Sequence, residues 1–175
     1  MSNLWELIKE LKEKIFQREK VEEKPERSEE FRESLQFVLK WEGFISNDPH
    51  DPGGLTIWGI SYKSHPKEVL EMERLINAVK KQEAFAIAEK IYYENYWLKI
   101  ESDKEKFPWN LILFDTAVNC GVSRACKLWL ETITWQEYLI GRIEFYAGLP
   151  TAKDFLRGWV NRVIDLYKFV KDHEQ

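Results

Sequence analysis

Apolar residues recur along this chain with a helical period over most of its length and with a strand-like alternation over one short stretch. Leu4, Leu7, Ile8, Leu11 and Ile15 fall on one stripe of a helix predicted over residues 3–19, with Lys and Glu on the other faces. A charged run from Arg18 to Arg27, interrupted by Pro25, follows and reads as a linker. The chain therefore divides into an amphipathic segment with its linker, 1–27, and one folded unit, 28–175. The first segment needs a surface to cover its stripe: the domain itself, a second protein or a membrane.

Ser28 is a plausible N-cap, and Phe31, Leu35, Val38 and Leu39 give the buried stripe of a helix that runs to Trp41 and stops at Gly43. Asp-Pro and Gly-Gly pairs at 51–54 force turns, and Leu55, Ile57 and Ile60 predict a short hairpin after them. From Pro66 the helical pattern returns through Val69, Leu70 and Met72, then through Phe85, Ala88, Ile91 and Tyr92, and ends in the aromatic run 92–97. A loop at 103–106 leads to a strongly apolar helix over 109–119 that ends at Gly121. Three further helices are predicted, at about 123–132, 135–147 and 151–171. The expected fold class is mainly α (α+β), with one short β-hairpin beside the helix that ends at Gly43.

Composition narrows the function classes. The 175 residues suffice for one hydrophobic core without staples, at 44% apolar and 32% charged. A net charge of -4 argues against general affinity for nucleic acid or an anionic membrane. Cys120 and Cys126 have neither the spacing nor the partners of a metal site, and read as free, buried thiols from a reducing compartment. The charged start of the chain does not read as a signal peptide, and no apolar run reaches membrane-spanning length. The expectation is synthesis in the cytoplasm and action after non-classical or holin-type release.

The candidate chemistry begins at Glu42. A carboxylate in the last turn of a helix meets the negative end of the helix dipole, and the flanking Trp41 and Phe44 withhold solvent from it. Both disfavour its charge, so a proton donor at neutral pH is expected. Asp51 stands nine residues on and Thr56 five further, in a loop able to fold back over the helix end. Asn47, Asp48 and Asp51 do not form a calcium loop, which requires acidic residues at alternate positions and a glutamate at position twelve. Asp48 is a turn-former; Asp51 is read as assisting catalysis or making an Asx-turn, and Thr56 as catalytic or structural in equal measure. Glu94, among aromatics, is the second-choice carboxylate, with a solvated helix face as its plainer role. Asp115 and Asn119, four apart on the apolar helix, must be paired, and bracing of a cleft floor suits them better than catalysis.

The pattern of Glu42, Gly43, Asn47, Asp48, Pro49, Asp51, Pro52, Gly53, Gly54, Thr56, Gly59 and Ile60 closely resembles glycoside hydrolase family 108, the N-acetylmuramidases of phage-type lysozyme architecture. The likeness runs over about residues 31–165, through Tyr96 and Trp97, the Asp115, Asn119 and Gly121 spacing, and Arg142, Phe145, Tyr146, Gly158, Trp159, Asn161 and Arg162. It implies a lysozyme-like endolysin with Glu42 as catalytic acid, Asp51 and Thr56 as second and third members of the site, and peptidoglycan as substrate. Trp58 would then stack on a sugar ring, with Tyr93 and Asn119 lining the cleft, and no metal or organic cofactor is required.

Three departures from the family pattern stand out. Asp51 and Thr56 are one residue closer than in phage-type lysozymes, Phe44 replaces a glycine, and residues 131–136 are too short for the family's binding-module-like insert. Two rival readings remain open: a lysozyme-like wall-binding or secretion-accessory protein with weak turnover, and a lytic transglycosylase that keeps the glutamate but needs no water-positioning aspartate.

Overall fold

A computed structural model describes residues 27–47 and 54–174. The predicted helix and linker of residues 1–27 thus lie almost wholly outside the described residues, as does the 48–53 loop with Asp48 and Asp51.

Helix α1 spans Glu29–Glu42, capped by Ser28, whose hydroxyl accepts from the Phe31 amide at 3.2 Å. Gly43, at φ 71°, ends it and turns the chain into β1 (Ile45–Ser46). Strands β2 (Thr56–Ile57) and β3 (Ile60–Ser61) complete an antiparallel sheet in the order β1-β2-β3, with Ile45 opposite Ile57 and Ile57 opposite Ile60. The expected hairpin is therefore β2–β3, and a third strand joins it. The reason is local: the Trp58 amide donates to the Phe44 carbonyl at 2.7 Å, so the residues just past Gly43 are zipped to the hairpin.

Two helices follow, α2 (Pro66–Asn77) and α3 (Lys81–Tyr92), where the sequence showed a single helical pattern. The break centres on Val79, at φ 62°. The Val79 amide bonds to the Ile76 carbonyl and the Lys80 amide to the Leu75 carbonyl, the paired bonds of a Schellman cap with valine in the position glycine usually takes. After α3, residues Tyr93–Trp97 form one wide π turn, closed by the Leu98 amide on the Tyr93 carbonyl at 2.9 Å. Helices α4 (Trp109–Cys120), α5 (Val122–Glu131), α6 (Trp135–Ala147) and α7 (Ala152–His173) fall within two residues of their predicted bounds. Thr134 and Glu137 form a capping box at the start of α6, which fixes that boundary.

The fold is mainly α, with seven α-helices among the described residues and one small sheet. Its core has two parts. Phe31, Leu35 and Val38 of α1 pack with the sheet, α2, α3, Trp97 and Phe114. Phe37 of α1 packs with Leu111, Leu113, Tyr138, Leu166 and other residues of α4–α7. Helices α1 and α4 face both clusters, so the carboxyl end of α1 lies on the seam between them.

Candidate functional site

Glu42, the last residue of α1, is held from both sides of that seam. From α7, Arg162 Nη1 donates to Glu42 Oε1 at 2.6 Å. From the sheet, Gly59 presents bare backbone to the same side chain: a Cβ built there would stand 2.7 Å from Glu42 Oε2 and 2.9 Å from Glu42 Cβ. Gly59 has φ 76°, so it is also a position that side chains strain. The Glu42 side chain keeps 19% of its surface exposed, which leaves the carboxyl sequestered but reachable.

The preceding residue sets the other wall. Trp58 has φ 46°, and its carbonyl accepts from the Tyr92 hydroxyl at 2.7 Å. Burial, and then the charge of Glu42, hold the Tyr92 phenol above its ordinary range; the same two causes raise Tyr96. These two phenols, about 5.9 Å apart between ring centroids, are the neutral polar groups that feel Glu42.

Behind Arg162 lies a buried charge network. Asp115, in the middle of α4 with no exposed surface, takes Arg162 Nε on Oδ1 at 2.9 Å and Arg142 Nη1 on Oδ2 at 2.6 Å. Burial opposes its ionisation, but the two arginines prevail and hold its carboxyl below the usual carboxylate range. Burial likewise works against the charge on Arg162, and Asp115 and Glu42 more than offset it. Arg142 Nη1 also reaches the Thr116 hydroxyl at 3.0 Å, and its Nε donates to the Tyr146 oxygen at 2.7 Å. The Tyr146 hydroxyl in turn donates to Asn119 Oδ1. A continuous chain thus runs from Glu42 through Arg162, Asp115, Arg142 and Tyr146 to Asn119.

A clamp fixes α7 against α1. Lys40 Nζ is 2.9 Å from Asp165 Oδ2, and the Trp41 indole nitrogen donates to the same oxygen at 3.0 Å. Arg162 and Asp165, three apart on α7, therefore grip three consecutive residues at the end of α1.

The sequence-derived candidates separate as follows. Glu42 lies where the helix pattern placed it, while Asp51 is outside the described residues. Thr56 sits half-buried in β2, its hydroxyl donating to the Gly54 carbonyl at 3.3 Å. Trp58 does not offer a free ring to a sugar: it is 8% exposed and packed by Phe44 and Phe85, with ring centroids at 5.0 and 5.2 Å. Positive φ at Trp58 turns its side chain inward, and its carbonyl serves the site instead. Tyr93 is also displaced from the expected place, because it packs edge-on against Phe31 at 5.0 Å, near the start of α1. That is eleven residues, about 16 Å along the axis, from Glu42.

Tyr92, the last residue of α3, and Tyr96, in the wide turn at 93–97, are on the Glu42 side, rather than Tyr93. Among the described residues, Asn119 is linked to Glu42 through the arginine chain. Glu94 is exposed, 3.8 Å from Lys90, on a groove of about 670 Å³ that also includes His65 and Glu83 but not Glu42. Cys120 and Cys126 are free, though half-buried rather than buried, and the Cys120 thiol lies 3.3 Å from the Tyr146 hydroxyl. Among the described residues no His, Cys, Asp and Glu group could hold a metal ion.

The sequence reading gave no role to Arg162, Tyr92 or Gly59. The available signal was indirect: a buried aspartate on a strongly apolar helix must find a cation, and Arg142 and Arg162 are buried on α6 and α7.

The solved structure of Brucella abortus SagA is similar in fold, with a TM-score of 0.62 at 24% identity, over 81% of this chain and 94% of that one. No curated protein matches the chain. The profile of Glycosyl hydrolase 108 matches residues 35–121, which include Glu42, Thr56, Gly59, Tyr92, Asp115 and Asn119. The segment that supplies these residues belongs to the glycosyl hydrolase 108 family, glycoside hydrolases that act on peptidoglycan.

Proposed function

We propose that the chain is an N-acetylmuramidase that cuts the β-1,4 bond between N-acetylmuramic acid and N-acetylglucosamine, with Glu42 as general acid. The supporting observation is the placement of Glu42 on the seam between the two core clusters. Arg162 occupies Oε1 while Oε2 lies on the side of Gly59 and Tyr92, and part of the side chain stays exposed. An acid held by one oxygen has a defined second oxygen from which to pass its proton, and orientation of this kind contributes much of what a positioned acid adds to a rate.

In this reading Glu42 protonates the leaving oxygen as the sugar becomes cationic. Asp51 holds a water on the other face, and Thr56, in β2 just past that loop, helps to orient it. The charge left on Glu42 is then countered by Arg162 at 2.6 Å. Hydrolysis with inversion is the stereochemistry that follows from a water-positioning aspartate.

Digestion of purified peptidoglycan by the wild type and by Glu42→Gln tests this. The variant should fold normally, since the amide oxygen still accepts from Arg162, and should lose about 100-fold or more in rate. A Glu42→Gln protein that clears cell walls at the wild-type rate would remove Glu42 from the mechanism. Mass spectrometry of the muropeptides separates a hydrolysed reducing end from the anhydro end of a transglycosylase.

A further inference from the structure

Asp115 does not touch Glu42, yet the geometry of the cluster makes Glu42 depend on it. We infer that Asp115 is a positioning residue for the acid, acting through Arg162; the inference rests on the reading of Glu42 as general acid. A guanidinium is planar and its donors form a rigid fork, so fixing one edge fixes the direction of the rest. Here Nε is fixed by Asp115 Oδ1 at 2.9 Å, and Nη2 lies 2.7 Å from the same oxygen, an ion contact at an angle too poor for a hydrogen bond. Nη1 is then left to Glu42 Oε1. Asp115 itself is set by Arg142, whose Nη1 is 2.6 Å from Oδ2 and which is held in turn by Thr116 and Tyr146.

Charge gives a second role to the same contacts. Two carboxylates and two guanidinium groups make a cluster of zero net charge. Among the described residues the carboxylate paired with Arg142 is Asp115, which therefore carries the compensation for that cation. With Asp115 neutral, the Glu42 carboxylate would face two guanidinium charges with no second anion between them, and its attraction to Arg162 would strengthen. Among the described residues, the other titratable groups that feel Glu42 are Tyr92 and Tyr96, whose buried phenols stay protonated and do not replace that charge. A core ion pair that only joined α4, α6 and α7 would not change how the rate depends on pH.

The test is the pH–rate profile on a soluble glycan oligomer for the wild type, Asp115→Asn and the charge-balanced double variant Asp115→Asn with Arg142→Gln. Asp115→Asn should move the alkaline limb about one unit toward lower pH and cut kcat at neutral pH about tenfold, while KM stays within about twofold. The double variant should return the limb toward its wild-type position. A folded Asp115→Asn protein with the wild-type limb, a loss confined to KM, or a double variant that recovers nothing would overturn the inference.

Should Asp115→Asn fail to fold, Arg162→Lys takes its place. It keeps the charge and loses the fork, so it should lower kcat with the limb unmoved, and an unchanged kcat there counts against the inference equally. Glu42→Gln is run beside them. Activity retained by that variant ends the acid assignment, whereas an inactive Glu42→Gln with an undisturbed Asp115→Asn profile ends only the positioning role.

Discussion

A methyl group on Gly59 would stand 2.7 Å from Glu42 Oε2 and 2.7 Å from the Tyr92 hydroxyl, on a residue already at φ 76°. Gly59→Ala therefore carries two penalties: a left-handed backbone strained by about 1–3 kcal/mol, and displacement of the carboxylate itself. Its thermal midpoint should fall by several degrees, and its rate by more than stability explains at a temperature where it stays folded. Wall-clearing assays paired with melting curves check this, and an alanine variant with unimpaired clearing contradicts the packing described here.

Asp115 makes a pH prediction at the same scale. Its folded-state pKa lies below the unfolded value of about 3.9, so its contribution to stability is present above that value and is lost as pH falls through the folded pKa. Melting temperature should drop in acid below about pH 4, and the drop should be shallower in Asp115→Asn, which starts less stable. At this scale the sequence marked Glu42 and the need to pair Asp115. It named Tyr93 as cleft lining, whereas Tyr92 and Tyr96 stand beside Glu42, and the π turn at 93–97 changes the angular spacing that a regular helix would impose.

Helix α7 meets the end of α1 through Asp165, which takes both Lys40 and the Trp41 indole. The lysine contact is largely exposed and contributes little, while the half-buried indole bond is worth about 1 kcal/mol. Asp165→Ala should thus cost about 1–2 kcal/mol in urea unfolding and, by loosening the helix that carries Arg162, lower kcat as well. A stability loss with kcat untouched would show that Arg162 keeps its place without the clamp.

At the carboxyl end of α2, Val79 closes the helix in a left-handed conformation while 91% exposed. Val79→Gly removes a steric strain of about 1–2 kcal/mol without uncovering any packing, partly offset by the greater freedom of glycine when unfolded. A gain of about 0.5–1 kcal/mol in urea unfolding is expected. The elements with strong caps or flanking glycine and proline were legible in sequence, as α1 and α6 show. The α2–α3 break was hidden because a valine occupies a place where glycine would have announced it.

Taken whole, the molecule has two hydrophobic clusters that share α1 and α4, and Glu42 stands where a carboxyl can be gripped from both. That arrangement was not legible from periodicity, which reports faces of single helices; it follows from which faces meet. Three tyrosines mark the same seam and its flank. Burial raises the phenols of Tyr92, Tyr138 and Tyr146 well above their ordinary range, with the charge of Glu42 adding to the effect at Tyr92. A phenol whose folded pKa is raised stabilises the fold fully below the unfolded value of about 10, and that contribution is lost as pH rises toward the folded value.

Because these three serve different contacts, at the Trp58 turn, at the Ala125 carbonyl and at Arg142, their ionisation should not be local. Tyrosinate absorbance from the buried phenols should appear together with the loss of helical circular dichroism above about pH 10, in one cooperative step. If instead the phenols ionise while the helical signal stays intact, the two clusters open independently, and Glu42 is not held by a single rigid seam.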